Sequence, residues 1–207
     1  MNISLNAKVN CSDGPFGYLD HIILKSINEE ITHLVICDRN DRDLKYLVPI
    51  EFVSKSNHKL IQLDCTEDEL RSMPKFTKEE YIPRSVFTFQ IKPYLVTPHA
   101  VLPGPFIPIE VEQIPAGELA VKKGAVVEAI DGPVGFIDEF LVDTSNNSPS
   151  HITLRQGHLW GQKDVTLPIE VLDRIEEDTV YLKISKKDIE ALPTVPIHRF
   201  WIKKHSE

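Results

Sequence analysis

The chain has 207 residues, with 31 acidic against 23 basic side chains and a net charge of −8 when His is neutral. That length can bury a real core in one or two domains, and that charge argues against a general nucleic-acid binder, because phosphate contacts need clustered Lys and Arg. No apolar run approaches the roughly 18–20 residues of a membrane span, Met1-Asn2-Ile3-Ser4 opens no signal peptide, and three cysteines (Cys11, Cys37, Cys65) are too few for a disulfide framework or a zinc cluster, so the expected setting is a reducing cytoplasm.

Taken in chain order, Leu5, Ala7, Val9 and Cys11 alternate with polar neighbours, the period of a half-buried first strand. Asp13-Gly14 is a tight-turn dipeptide, in which Gly tolerates positive φ and Asp can accept from nearby backbone amides. Phe16 to Lys25 and Ile31 to Cys37 give the next two strands, then a loop and a strand ending at Pro49, then Lys59 to Leu63. Thr66-Glu67-Asp68-Glu69 fits a capping box and predicts a helix of about two turns ending near Met73-Pro74.

From about Lys75 to Gly117 the character changes. Seven of the 15 prolines fall there, which forbids a regular helix or an interior strand. Yet Phe87, Phe89, Tyr94, Leu95, Val96, Phe106, Ile107 and Ile109 are more apolar bulk than a solvated linker would carry. The expectation is an ordered strap laid across one or both flanking modules.

Beyond it the chain repeats itself. Asp13-Gly14-Pro15-Phe16-Gly17-Tyr18-Leu19-Asp20 returns as Asp131-Gly132-Pro133-Val134-Gly135-Phe136-Ile137-Asp138, an offset of 118 positions that becomes 119 after one inserted residue. Val48-Pro49-Ile50-Glu51-Phe52 then matches Leu167-Pro168-Ile169-Glu170-Val171, and Ser185-Lys186-Lys187-Asp188 opens a second short helix. Five or six short strands in each unit leave few bare edges only if they close into a small barrel, each around its own core. The division is 1–75 for the first unit, 76–117 for the strap, 118–194 for the second unit and 195–207 for a tail.

The D-G-x-x-G turn after the first strand, Ile31-Thr32-His33-Leu34-Val35, the Pro-Ile-Glu corners at 49–51 and 168–170, and Gly157-His158-Leu159-Trp160-Gly161 leading to Val165-Thr166-Leu167-Pro168 resemble the PRC-barrel family. That module is named after the cytoplasmic part of the photosynthetic reaction-centre H subunit and also forms the C-terminal domain of a ribosome-maturation factor. The resemblance covers both units but not the strap. It implies an all-β fold with short helices, two tandem PRC-like β-barrels joined by a proline-rich strap, and partners in ribosome maturation or in an electron-transfer or membrane-associated assembly.

Candidate chemistry is sparse. His33 and His151 match each other, but neither has a second ligand at fixed spacing, so both read as structural or surface histidines. Cys11 and Cys65 correspond to Ala129 and Ile184, the pattern of small buried hydrophobes. Asp20 with Asp138 and Glu51 with Glu170 are acidic in both copies, which turn or corner hydrogen bonding explains. No P-loop, G-x-S-x-G or Gly-rich dinucleotide turn occurs. No catalytic, cofactor-binding or metal-binding residue is assigned.

The surface says more. His158, Leu159 and Trp160 occupy a hairpin loop where the first unit has Asp41-Arg42-Asp43; Trp160 contacts a partner, or folds back on its own barrel or the strap. Trp201 lies in a tail that mixes aromatics with Arg199, Lys203 and Lys204. Residues 1–74 carry 12 acids and 8 bases, and residues 118–193 carry 14 and 8, which suits a basic protein partner and repels phosphate. The reading is a non-enzymatic adaptor or scaffold that binds a protein through barrel loops, with no cofactor, no membrane span and no direct nucleic acid. Two alternatives stand beside it: an RNA- or ribosome-assembly-linked binder, and a small-molecule or metal sensor that uses the groove between the barrels.

Overall fold

The computed structural model describes residues 1–25, 30–83, 106–143, 145–156, 163–176 and 178–192. The first copy runs through β1 (Asn2–Ser4), β2 (Lys8–Cys11), β3 (Gly14–Leu24), β4 (Ile31–Asp38), β5 (Lys45–Pro49), β6 (Val53–Ser56) and β7 (Leu60–Leu63) into helix α1 (Glu67–Arg71). A two-stranded antiparallel ribbon follows, made of β8 (Thr77–Pro83) and β9 (Phe106–Glu112). The second copy repeats the series as β10 (Leu119–Lys122), β11 (Val126–Ala129), β12 (Gly132–Val142), β13 (Pro149–Gln156), β14 (Lys163–Pro168), β15 (Leu172–Glu176) and β16 (Thr179–Leu182), then helix α2 (Lys186–Ala191). The fold is all-β with two short helices.

Both sheets have one strand order, β5-β4-β3-β2-β7-β6 and β14-β13-β12-β11-β16-β15. In each, the only parallel pair on that path is the one that joins the hairpin to the returning strand, β2 with β7 and β11 with β16. The ladder does not close by hydrogen bonds. The end strands β5 and β6 are linked instead by a 3-10 turn at Ile50–Phe52, and β14 and β15 by its counterpart at Ile169–Val171. Pro49 and Pro168 enter these turns at φ −58° and −59°, where a missing donor costs nothing.

Edges are covered by another device. Strand β1 pairs antiparallel with β12 of the second copy, with Ile3 opposite Phe140 and Ser4 opposite Glu139. Reciprocally, β10 pairs with β3 of the first copy, with Val121 opposite Ile22 and Lys122 opposite His21. Each copy thus lends its leading strand to the other. The strand expected to run from Leu5 to Cys11 is broken at Asn6, whose φ of +74° turns β1 away from β2. The matching residue is Gly124 at φ +79°; Asn and Gly are the residues that enter this left-handed region at least cost.

A shared interior follows. Ile3, Phe16, Leu34 and Val48 belong to the same contiguous apolar cluster as Val121, Phe140, Ile152 and Leu167. The expectation that each unit wraps its own core is therefore corrected. A unit of about 70 residues buries too small a fraction of its surface to be comfortable alone, and exchange enlarges the core of both.

Local signals explain the repeated motif. A Cβ on Gly17 would lie 1.8 Å from the carbonyl oxygen of Cys37, so β3 approaches β4 there closer than any side chain allows. Asp13 does not bond within its own turn: its carboxylate accepts from the amide of Glu67 at 3.0 Å, and Asp131 accepts from Lys186 at 2.9 Å. Each turn aspartate thereby ties the first hairpin to the first turn of the helix that closes its copy. Both capping boxes are complete, Thr66 with Glu69 and Ser185 with Asp188.

Within the segment expected as a strap, the described part is the ribbon and its root. Phe76 is buried against Ile23 and Val35, its amide donates to Lys45 at 2.8 Å, and its carbonyl accepts from Gln113. Residues 84–105 lie outside the described residues.

Candidate functional site

Strand exchange produces two seams, and side chains on the sheet faces beside them form cross-strand rows. In the first copy the row reads Lys122, His21, Val35, Leu47 across β10, β3, β4 and β5. In the second it reads Ser4, Glu139, Thr153, Thr166 across β1, β12, β13 and β14.

His21 and Glu139 occupy matching positions just after a bulge, and the residue left over in each bulge is an aspartate, Asp20 or Asp138. An extra residue re-aims a side chain out of the alternation. These aspartates are therefore bulge residues bound to side chains, which replaces the turn-and-corner reading. Asp20 lies 3.0 Å from His21 Nδ1 and 2.6 Å from Lys45 Nζ, while His21 Nε2 is 3.6 Å from Glu112 at the root of the ribbon. Burial works to raise the Asp20 carboxyl, but His21 and Lys45 outweigh it and hold the group at about 2, below the usual 3.8. Burial likewise works to lower the Lys45 ammonium, and the Asp20 carboxylate more than offsets it, so its pKa is raised. The Phe76 ring, 5.1 Å from the imidazole, covers His21. This seam is a closed polar knot.

The row of the second seam is buried as well from Glu139 to Thr166, but a groove lies beside it. Asp138 pairs with Arg155 at 2.7 Å, and Glu139 is buried beside it. Farther along the row, the Thr153 and Thr166 hydroxyls are buried without a hydrogen-bond partner. Next to Asp138 and Glu139 a groove of about 540 Å³ opens between the copies. It is lined as well by Leu5, whose amide donates to the Asp138 carbonyl at 3.1 Å, by Tyr18, and by Lys8, Lys59, Lys123 and His58. The bounding residues carry four bases against two acids, in a chain whose net charge is −8. A concavity of this size holds a small molecule, and cations around it attract an anion.

The candidates from sequence fall elsewhere. His158, Leu159, Trp160 and Trp201 lie outside the described residues. His33 Nδ1 is 3.0 Å from the Thr32 hydroxyl and 3.7 Å from Glu118, whereas His151 meets Ser150 in the other copy. Among the described residues no hydrogen bond or ion pair joins the two histidines, and no group of three or more His, Cys, Asp or Glu could hold a metal. All three cysteines are buried. Burial, then the neighbouring Cys65, pushes the Cys11 thiol up to about 12, so it stays protonated and unreactive. Glu51 and Glu170 are exposed in their 3-10 turns.

Sequence reading missed the groove cations. A signal existed: Lys8, Lys59 and Lys123 stand where the repeat has Val126, Asp178 and Leu5, so all three depart from it. Outward residues of the second copy depart as well. Phe136 is 54% and Ile130 71% exposed, where the first copy has Tyr18 and Ser12. Tyr181, with the Arg174 guanidinium 4.0 Å over its ring, stands where the first copy has Gln62, and Arg174 itself replaces Lys55. Compared with models of known protein families and with curated protein sequences, the chain finds no match in either.

Proposed function

We propose that this chain is a non-enzymatic adaptor of the PRC-barrel kind, which docks a protein on the outward face of its second copy. The observation that carries this reading is the exposed apolar surface there. Phe136 faces out beside Val126, across β12 and β11, with Tyr181 on β16 and Ile130 past the end of β11. The matching residues of the first copy, Tyr18, Lys8, Gln62 and Ser12, are all polar or amphipathic. Aromatic side chains flanked by an arginine are the composition of interaction hot spots. The resemblance to PRC-barrel modules adds fold-level support only. His158, Leu159 and Trp160, between β13 and β14 in the sequence, remain a second expected contact, as does Trp201.

The test is capture from the native host with wild type, with Ile130→Ser/Phe136→Lys, and with Trp160→Ala. The double variant should lose the specifically recovered protein at unchanged melting temperature, and Trp160→Ala should weaken recovery. Recovery of the same set by wild type and the double variant would remove this face from the reading.

A second reading, a small molecule bound between the copies, is favoured by the open seam groove and its cations.

A further inference from the structure

Three lysines reach the seam groove from separate parts of the chain: Lys8 from the start of β2, Lys59 from the turn between β6 and β7, and Lys123 from the turn between β10 and β11. Three other lysines, Lys25, Lys45 and Lys122, pair with Glu30, Asp20 and Asp178. Lys8, Lys59 and Lys123 have no such ion pair among the described residues. Ammonium groups gathered round one concavity repel one another, and an anion relieves that repulsion. The repeat does not account for them either, because their counterparts are Val126, Asp178 and Leu5.

The same groove also has lining of the opposite chemistry. Asp138, held by Arg155, and the buried Glu139 contribute carboxylates to its lining, which accept from hydroxyl groups and repel phosphate. Tyr18, directly across from Lys8 in the β2–β3 ladder, adds a flat amphipathic side. A ligand that satisfies both kinds of lining carries an anionic group and hydroxyl donors on one ring. Lysine serves phosphate as a point charge without demanding a fixed planar geometry.

We infer that the seam groove binds a small phosphorylated molecule with a hydroxyl-bearing ring, its phosphate among Lys8, Lys59 and Lys123 and its hydroxyls toward Asp138 and Glu139. The groove volume of about 540 Å³ accommodates a sugar phosphate or a mononucleotide. This rests on the second reading above and is independent of the adaptor face.

Titration calorimetry on the full chain at low salt, with glucose 6-phosphate, AMP, inorganic phosphate and glucose, tests it. Glucose 6-phosphate or AMP should bind, the tighter of the two identifying the source of the phosphate, and glucose should not. Lys59→Ala and Lys123→Ala should each weaken binding about tenfold without changing the melting temperature, because both side chains are exposed. Neither phosphate ester binding better than glucose, or equal binding to wild type and to a Lys59→Ala/Lys123→Ala double variant, would overturn the inference. A parallel thermal-shift screen of neutral and cationic compounds separates the two levels. Hits abolished by a Lys8→Trp plug, with no phosphate ester bound, would overturn the phosphate assignment and leave the small-molecule reading standing. No hit of any charge would overturn both.

Discussion

At interior positions the two copies are near-interchangeable: Val9 with Val127, Leu19 with Ile137, Ile22 with Phe140, Leu34 with Ile152 and Leu63 with Leu182 are all buried. At outward positions they diverge. Where the first copy has His21, Val35 and Leu47 under the ribbon root, the second has Glu139, Thr153 and Thr166; where the first has Tyr18, Lys8 and Ser12, the second has Phe136, Val126 and Ile130. Packing constrains what lies between the sheets to apolar residues of similar bulk, whereas the outer faces answer to different neighbours. One seam became a closed ion-pair knot, and a groove lies beside the other. Duplication here supplied one scaffold and two separate surfaces.

The largest effect that would break this comparison is separation of the copies. Residues 1–83 and 106–207 produced as individual chains should each lose cooperative unfolding, because each lacks the other's edge strand and exposes the common core; mixing them should restore a single transition, read by circular dichroism during urea titration. Two independently cooperative halves would show that exchange is dispensable.

Next comes an interaction confined to the first copy. Arg71 on α1 reaches the buried Asp38 at 2.6 Å and Glu67 at 2.8 Å, with its guanidinium 5.2 Å from the centre of the Phe16 ring. The second copy has Gln156 and Glu190 at these places and cannot form the ion pair. Removing one partner of a buried pair strands the other, so Arg71→Ala should cost about 2–4 kcal/mol, the lower part of that range because the guanidinium is 34% exposed. Glu190→Ala should change little by the same urea measurement.

A smaller effect depends on acid. The Asp20 carboxyl is held near 2, so its stabilisation is complete above the ordinary carboxylate value and is lost as the pH falls from about 4 toward 2. The stability gap between wild type and Asp20→Asn should therefore narrow over that interval. A gap independent of pH would show that its contacts do not depend on its charge. The smallest effects sharpen what the copies share: Thr66→Ala and Ser185→Ala should each cost about 1 kcal/mol, and nearly equally, because both boxes are closed in the same way.

The repeat, the strand pattern, both capping boxes and the proline-led corners were legible because each is encoded within a few residues. Alternation at Leu5, Ala7, Val9 and Cys11 says which side faces inward but not which strand lies alongside. The partner of β1 is therefore invisible locally, and so is the turn at Asn6, a residue equally at home in a loop. The same gap produced the expectation of two closed barrels with separate cores. Side-chain roles were less legible still. Asp13 and Asp131 look like turn residues, yet they serve amides far along the chain, and Lys123 is brought beside Lys8 and Lys59 only by exchange.

Reciprocal lending of β1 and β10 also fixes when the chain can complete itself during synthesis. Ser4 has no strand to lie against until Glu139 has been made, and His21 waits for Lys122. Sheet contacts this remote along the chain form slowly, and the half translated first keeps an uncovered rim until the other arrives. Assembly of this protein is a late, concerted step rather than a module-by-module one.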